Sequence, residues 1–249
     1  MSVARPPSAE KIRHAFMLTE DIGRPQPDML AGLDAAGRAL VLQKGRSRRF
    51  AAGQAVFAQG EKHDGIYLIE DGLVRVFYTA PSGREITLAY WMAGNFVGGP
   101  EVFGTGVHVW SGIAERDTRV LALSGAVLRG LVDALPPLAI GVIEGLVFKG
   151  NCYSLLAQML GTRSVVERLA YVLQRLCQLY GVAGAEGIVV ATRFTHDDLA
   201  HMVGSTRQWV SMTLRRFADQ GILVVSRKHL VVLRADLLAE QAHMEEPGR

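Results

Sequence analysis

The chain has 249 residues, 49% of them apolar and 7% aromatic, and a formal net charge of +3. That is length and apolar content enough for one large domain or two ordinary ones with a real core, and it excludes a disordered chain. Two cysteines, Cys152 and Cys177, exclude a disulfide framework and a four-cysteine zinc or iron–sulfur pattern.

Residues 1–27 are rich in proline and charge and read as a loose N-terminal arm. The opening MSVARPPSAEKIRHAF has no apolar stretch of the kind a secretory signal needs. Residues 28–135 form a β domain, its β character running from Arg49 to Leu123. GIYLIEDG, LVRVFYTA and EITLAYW carry β-branched and aromatic residues and are punctuated by Asp71–Gly72, Pro81–Ser82–Gly83 and Ala93–Gly94–Asn95. Short strands with turns about every ten residues predict a small antiparallel barrel or roll. Within it the glycine-dense loop GGPEVFGTGVHVW, Gly98 to Trp110, suits close backbone approach to an anion, yet it holds neither Lys nor Arg.

Residues 136–162 form a long helix, with helical periodicity over 138–160. One stripe is Ala139, Val142, Leu146, Tyr153, Leu156 and Leu160; its neighbour is Ile140, Ile143, Val147, Gly150, Ser154 and Ala157. Two adjacent apolar stripes call for two partners: the β domain, and a second copy of the helix approached closely through small residues. A helix buried inside a monomer is the alternative. Its apolar run LAIGVIEGLVF is too short to span a bilayer.

Residues 163–249 form the last domain. A helix over 164–181 ends at Gly181, and the loop GVAGAEG follows. FTHDDLAHMVGSTRQWVSMTLRRFADQGIL then reads as helix, tight turn, helix. Thr195 caps the first helix with Asp198 answering; Gly204 turns; Ser205 caps the second, with Gln208 as its partner. Val210, Leu214 and Phe217 are the buried stripe of the second helix, while Arg207, Gln208, Ser211, Met212 and Arg215 face outward, which suits the major groove. ILVVSRKHLVVL is a β-hairpin wing with a basic tip. Arg193 to Arg234 carries seven basic and three acidic residues, about +4, a local footprint for phosphate.

The stretches DGIYLIEDGLVRVF, PSGREITLAYWMAGNFVGG and VGSTRQWVSMTLRRFADQGIL resemble the Crp/Fnr family of bacterial transcription regulators. The resemblance implies an α+β chain: an N-terminal antiparallel β-roll of cyclic-nucleotide-binding type, a long dimerisation helix and a C-terminal winged helix-turn-helix. It implies a cytoplasmic homodimer on double-stranded DNA with a two-fold symmetric site, with RNA polymerase as a further partner and no membrane contact. Arg207 matches the family's first recognition cation and suits guanine; Gln208 stands where the family has Glu and either pairs with adenine or caps the helix; Ser211 lies at the next matching position, and Met212 lacks the second Arg. Ser205, Thr206, Arg215 and Lys228 are read as phosphate contacts. Trp209 is read as core or interdomain packing in preference to base contact.

Against the family's phosphate-binding cassette, Phe96, Val97 and Gly98 align with its start. Gly99 then stands at the Glu that holds the ribose, Val109 at the Arg that neutralises the phosphate, and Trp110 at a small residue. Losing that cation removes a contact of about 1.5–3 kcal/mol, so cyclic AMP is not the expected ligand. The candidate effector residues are Phe96, Gly98, Gly99, Val109, Trp110, Tyr153 and Ser154. The occupant is a different small effector, a haem held by His108, or the Trp110 ring itself, which is favoured; no cofactor and no metal is assigned. The competing function is an effector sensor with weakened DNA binding. No catalytic constellation stands out, His196 with Asp197 and Asp198 being the first turn of a helix, so no enzyme is expected.

Overall fold

The computed structural model describes residues 26–190, 194–226 and 230–242. They fall into two compact units, divided between Leu155 and Leu156.

In the first unit Asp34 caps α1 (Ala35–Lys44) by accepting from the Gly37 backbone. Ten strands follow: β1 (Arg46–Phe50), β2 (Ala55–Phe57), β3 (Lys62–Asp64), β4 (Ile66–Asp71), β5 (Leu73–Thr79), β6 (Glu85–Met92), β7 (Phe96–Gly98), β8 (Thr105–Val107), β9 (Ser111–Ala114) and β10 (Thr118–Leu123). Their pairings are antiparallel, in sheets ordered β1-β10-β4-β7 and β2-β9-β5-β6, with a separate β3-β8 ribbon. This is the expected roll. Gly72 makes the β4–β5 turn at φ +109, where a Cβ would lie 2.3 Å from Thr118 Oγ1, so both conformation and space select glycine. Ser124 caps α2 (Gly125–Ala134), and α3 (Pro136–Thr162) follows directly.

The face of α3 that packs on the roll is set by Leu138, Gly141, Val142, Gly145, Lys149 and Cys152, all buried. This spacing keeps one side of the helix on the sheets. Gly145 admits the Phe96 ring: a Cβ there would come 2.7 Å from its edge. Leu138 and Val142 join the core of Phe96, Leu68 and Leu123, whereas Cys152 joins that of Trp91, Val76 and Val97. Ile140, Ile143 and Val147 of the second predicted stripe are exposed, and so is Leu146 of the first. Leu146 and Ala139 therefore do not share full burial with Val142. At 27 residues α3 is also long and apolar enough to cross a membrane by length and composition, which the shorter run LAIGVIEGLVF did not suggest. Glu144 and Lys149 interrupt its middle, and Leu138, Val142 and Cys152 on its buried face are part of the core of the roll.

In the second unit Ser164 and Glu167 form a capping box on α4 (Val165–Tyr180), which stops at Gly181. The segment read as a Gly/Ala loop is in part a hairpin of β11 (Gly181–Ala183) and β12 (Ile188–Val190). Then come α5 (His196–Val203), α6 (Arg207–Asp219), β13 (Leu223–Val225), β14 (Leu230–Val232) and α7 (Ala235–Gln241), the sheet running β11-β12-β14-β13. The predicted wing is the β13–β14 pair.

Candidate nucleic-acid interface and effector pocket

The turn between α5 and α6 is built from three local rules. Thr195 accepts from Asp198 N while Asp198 accepts from Thr195 N, a reciprocal box that closes the start of α5. Gly204 ends α5 in the left-handed region at φ 61, ψ 45. Thr206, rather than Ser205, then caps α6 by accepting from Trp209 N. Ser205 is only 8% exposed and its backbone N–H bonds to Ala200 O. It is thus neither the cap nor a surface phosphate contact. With the cap moved by one residue, Gln208 no longer falls at the answering position of a box, and its amide is exposed.

Behind this surface Val210, Leu214 and Phe217 are buried, as are Leu199 and Met202. In front, Thr206, Arg207, Gln208, Met212 and Arg215 are exposed. Among the described residues Arg207 pairs with Asp197, at a loose 3.9 Å with both side chains mostly in solvent, a pairing of little strength. Ser211 is half-buried and its Oγ lies 2.7 Å from His196 Nδ1, which fixes α5 against α6. Trp209 is 51% exposed, so it stands beside the basic face and not in the core. Arg234 is bridged to Asp236 at 2.6 Å and is held protonated by it, while Asp236 is lowered to about 2 by the same hydrogen bond. That pairing subtracts Arg234 from the free positive charge. Arg193 and Lys228 lie outside the described residues.

In the first unit Phe96, Gly98, Gly99, Trp110 and Tyr153 come together around one cavity of about 230 Å³. Val109 and Ser154 do not line it; Val109 points to solvent and Ser154 lies on the exposed side of α3. Trp110 donates from Nε1 to Gly98 O at 2.7 Å and its ring lies 6.0 Å from that of Tyr153. The indole is thereby a wall of the cavity and does not fill it. A Cβ at residue 99 would lie 2.6 Å from His63 Nε2, so the roll leaves no room there for the family's Glu.

His108 is 2% exposed, its ring stacked on Phe57 at 4.5 Å and edge-on to His63 at 4.9 Å. Burial, then the neighbouring His63, lowers its pKa. It lies off the cavity, which is also smaller than ordinary drug-sized pockets of about 300–1,000 Å³, so neither the ring's placement nor the space fits a haem. No group of three or more His, Cys, Asp or Glu that could hold a metal occurs among the described residues.

Among the lining residues outside the expected set, one carries an ionisable side chain. Lys149, from the buried face of α3, is 9% exposed, with Nζ 3.2 Å from the centroid of the Trp91 ring and 4.9 Å from that of Phe96. No hydrogen-bond partner for Nζ occurs among the described residues. Burial lowers its pKa to about 7, with a small opposing effect of Cys152. The sequence signal for it was faint: a single lysine four residues after Gly145, whose face is fixed only by packing.

Residues 47–134 match the cyclic nucleotide-binding domain family, and residues 167–241 match the Crp-like helix-turn-helix domain family. The cyclic AMP receptor protein of Thermus thermophilus is 29% identical over 203 residues, covering 82% of this chain and 91% of that protein. The fumarate nitrate reduction regulatory protein of Klebsiella oxytoca is 26% identical, covering 79% of this chain and 78% of that protein. Among solved structures, the c-di-GMP responsive global regulator CLP of Xanthomonas campestris superposes with a TM-score of 0.71 at 21% identity, covering 80% of this chain and 99% of that one. A CooA mutant from Carboxydothermus hydrogenoformans does so with a TM-score of 0.68 at 23% identity, covering 89% and 97%.

Proposed function

This chain belongs to the Crp/Fnr family of transcription regulators, and on that premise we propose that it is a cytoplasmic homodimer that binds a two-fold symmetric DNA site under the control of a small effector other than cyclic AMP. The observation that carries DNA recognition is the N-terminal face of α6. Thr206 holds the helix start, buried Val210, Leu214 and Phe217 fix its back, and Arg207 and Gln208 project free of strong internal partners. Arg207 reads guanine O6 and N7 and Gln208 reads adenine N6 and N7, while Thr206, Arg215 and Lys228 contact phosphate.

The exposed stripe Ile140, Ile143, Val147, Gly150 and Ser154 supports dimerisation through α3, because its alternating spacing of three and four is that of a coiled-coil seam. Gly99 against His63, and Val109 where the family has its Arg, support an effector lacking a cyclic phosphate.

The direct test is Arg207→Ala. Discrimination at the base pair facing Arg207 should disappear, and overall selectivity should fall, while a salt-sensitive, sequence-independent affinity remains. A variant that still demanded guanine at that position would refute the assignment of α6.

A further inference from the structure

The cavity beside α3 pairs an apolar wall with one unanswered cationic group. Val76, Trp91, Phe96, Trp110 and Leu146 supply aliphatic and aromatic surface. The Trp110 N–H is already donated to Gly98 O. The Trp91 N–H is hydrogen-bonded to the Tyr153 hydroxyl, so among the lining side chains the Lys149 amine and the Tyr153 O–H remain as polar groups able to meet a ligand. A buried amine with rings below it and no acceptor beside it is costly unless something anionic arrives. Nothing in the roll supplies that acceptor: no ion pair to Lys149 occurs among the described residues, and the aromatic faces of Trp91 and Phe96 offer only their π-electron density.

We propose that this cavity binds a small, flat monocarboxylate, whose acid group is received by Lys149 Nζ and whose apolar body lies against Trp110 and Tyr153. A single cationic donor at the wall suits one carboxylate; a phosphate dianion needs more donors than these side chains present. The size of the cavity suits a ligand of one or two fused rings. Lys149 thus takes over, from the helix side of the site, the charge that Val109 no longer supplies from the loop side. The inference rests on reading the roll as the effector domain of a Crp/Fnr regulator.

Isothermal titration of the full-length protein with benzoate and benzamide, and with 2-naphthoate and 2-naphthamide, tests it. Each pair has nearly the same shape and differs in charge. At least one acid should bind saturably and at least about tenfold more tightly than its own amide. Lys149→Met should remove the preference for the acid while near-ultraviolet circular dichroism keeps its native form. The proposal is overturned if neither acid binds, if each amide binds as tightly as its acid, or if folded Lys149→Met retains the preference. The comparison on the wild-type protein decides the matter even if that variant does not fold. Operator binding by a protein that ignores both acids would sink this inference and leave the DNA-binding reading standing.

Discussion

Lys149 makes a stability prediction of its own. Its pKa is lowered to about 7 from 10.5 because the ammonium form is desolvated. Between those values the unfolded chain holds one more proton than the folded chain, so stability rises with pH across that window, by at most about 1.4 kcal/mol per pH unit. Below about pH 7 both states carry the proton and the full burial cost stands. Cys152 and Tyr153, the nearby titratable groups, are both pushed upward by burial. Lys149→Met should therefore be more stable than wild type near pH 7, with the advantage shrinking toward pH 10; urea unfolding at the two values reads it directly. A difference that did not change with pH would mean that Lys149 is not held in the state described. At the other site, replacing Arg207 or Gln208 should cost about 1–3 kcal/mol of base discrimination each without altering unfolding, since both side chains are exposed.

Elements explain which residues could be read from the chain and which could not. The box Thr195–Asp198 and the turn at Gly204 were legible because both depend on residues within one turn of each other. The cap of α6 was misplaced by one because Ser205 and Thr206 both carry a hydroxyl, and only the left-handed exit from α5 decides which reaches the helix start. Trp209 looked like a core residue by type, yet its place one residue before Val210 turns it outward. Lys149 was illegible for a stronger reason. Periodicity finds a stripe, but only the roll's own surface, with Phe96 seated over Gly145, shows which stripe is buried. Two predictions belong at this scale. Thr195→Ala should lower the stability of the helix-turn-helix unit by about 1 kcal/mol in thermal or urea unfolding. Ile143→Glu, at a position 54% exposed, should leave the roll folded and halve the mass measured by sedimentation, because it charges the proposed seam.

At the scale of the molecule, the two units present surfaces of different character. The roll offers a mostly apolar cavity with one buried amine, whereas the helix-turn-helix offers an exposed face of mixed basic and amide groups. The α+β architecture was legible because the change from period-two to helical patterning at Pro136–Pro137 is abrupt, and the chain matches its two families on either side of it. The contents of the pocket were not, since they depend on groups from strands and helix far apart in the chain. Gly99 and Val109 stand where relatives named for cyclic AMP are expected to hold the nucleotide, and this replacement is what supports the proposal of a different effector.

Selection of bound DNA from a random pool by the full-length protein tests dimeric, sequence-specific recognition through α6. A palindromic motif should be enriched whose half-sites lie about 10–10.5 base pairs apart, on one face of the duplex, with guanine and adenine at the positions facing Arg207 and Gln208. Enrichment of an asymmetric single site, or of no sequence at all, would contradict it.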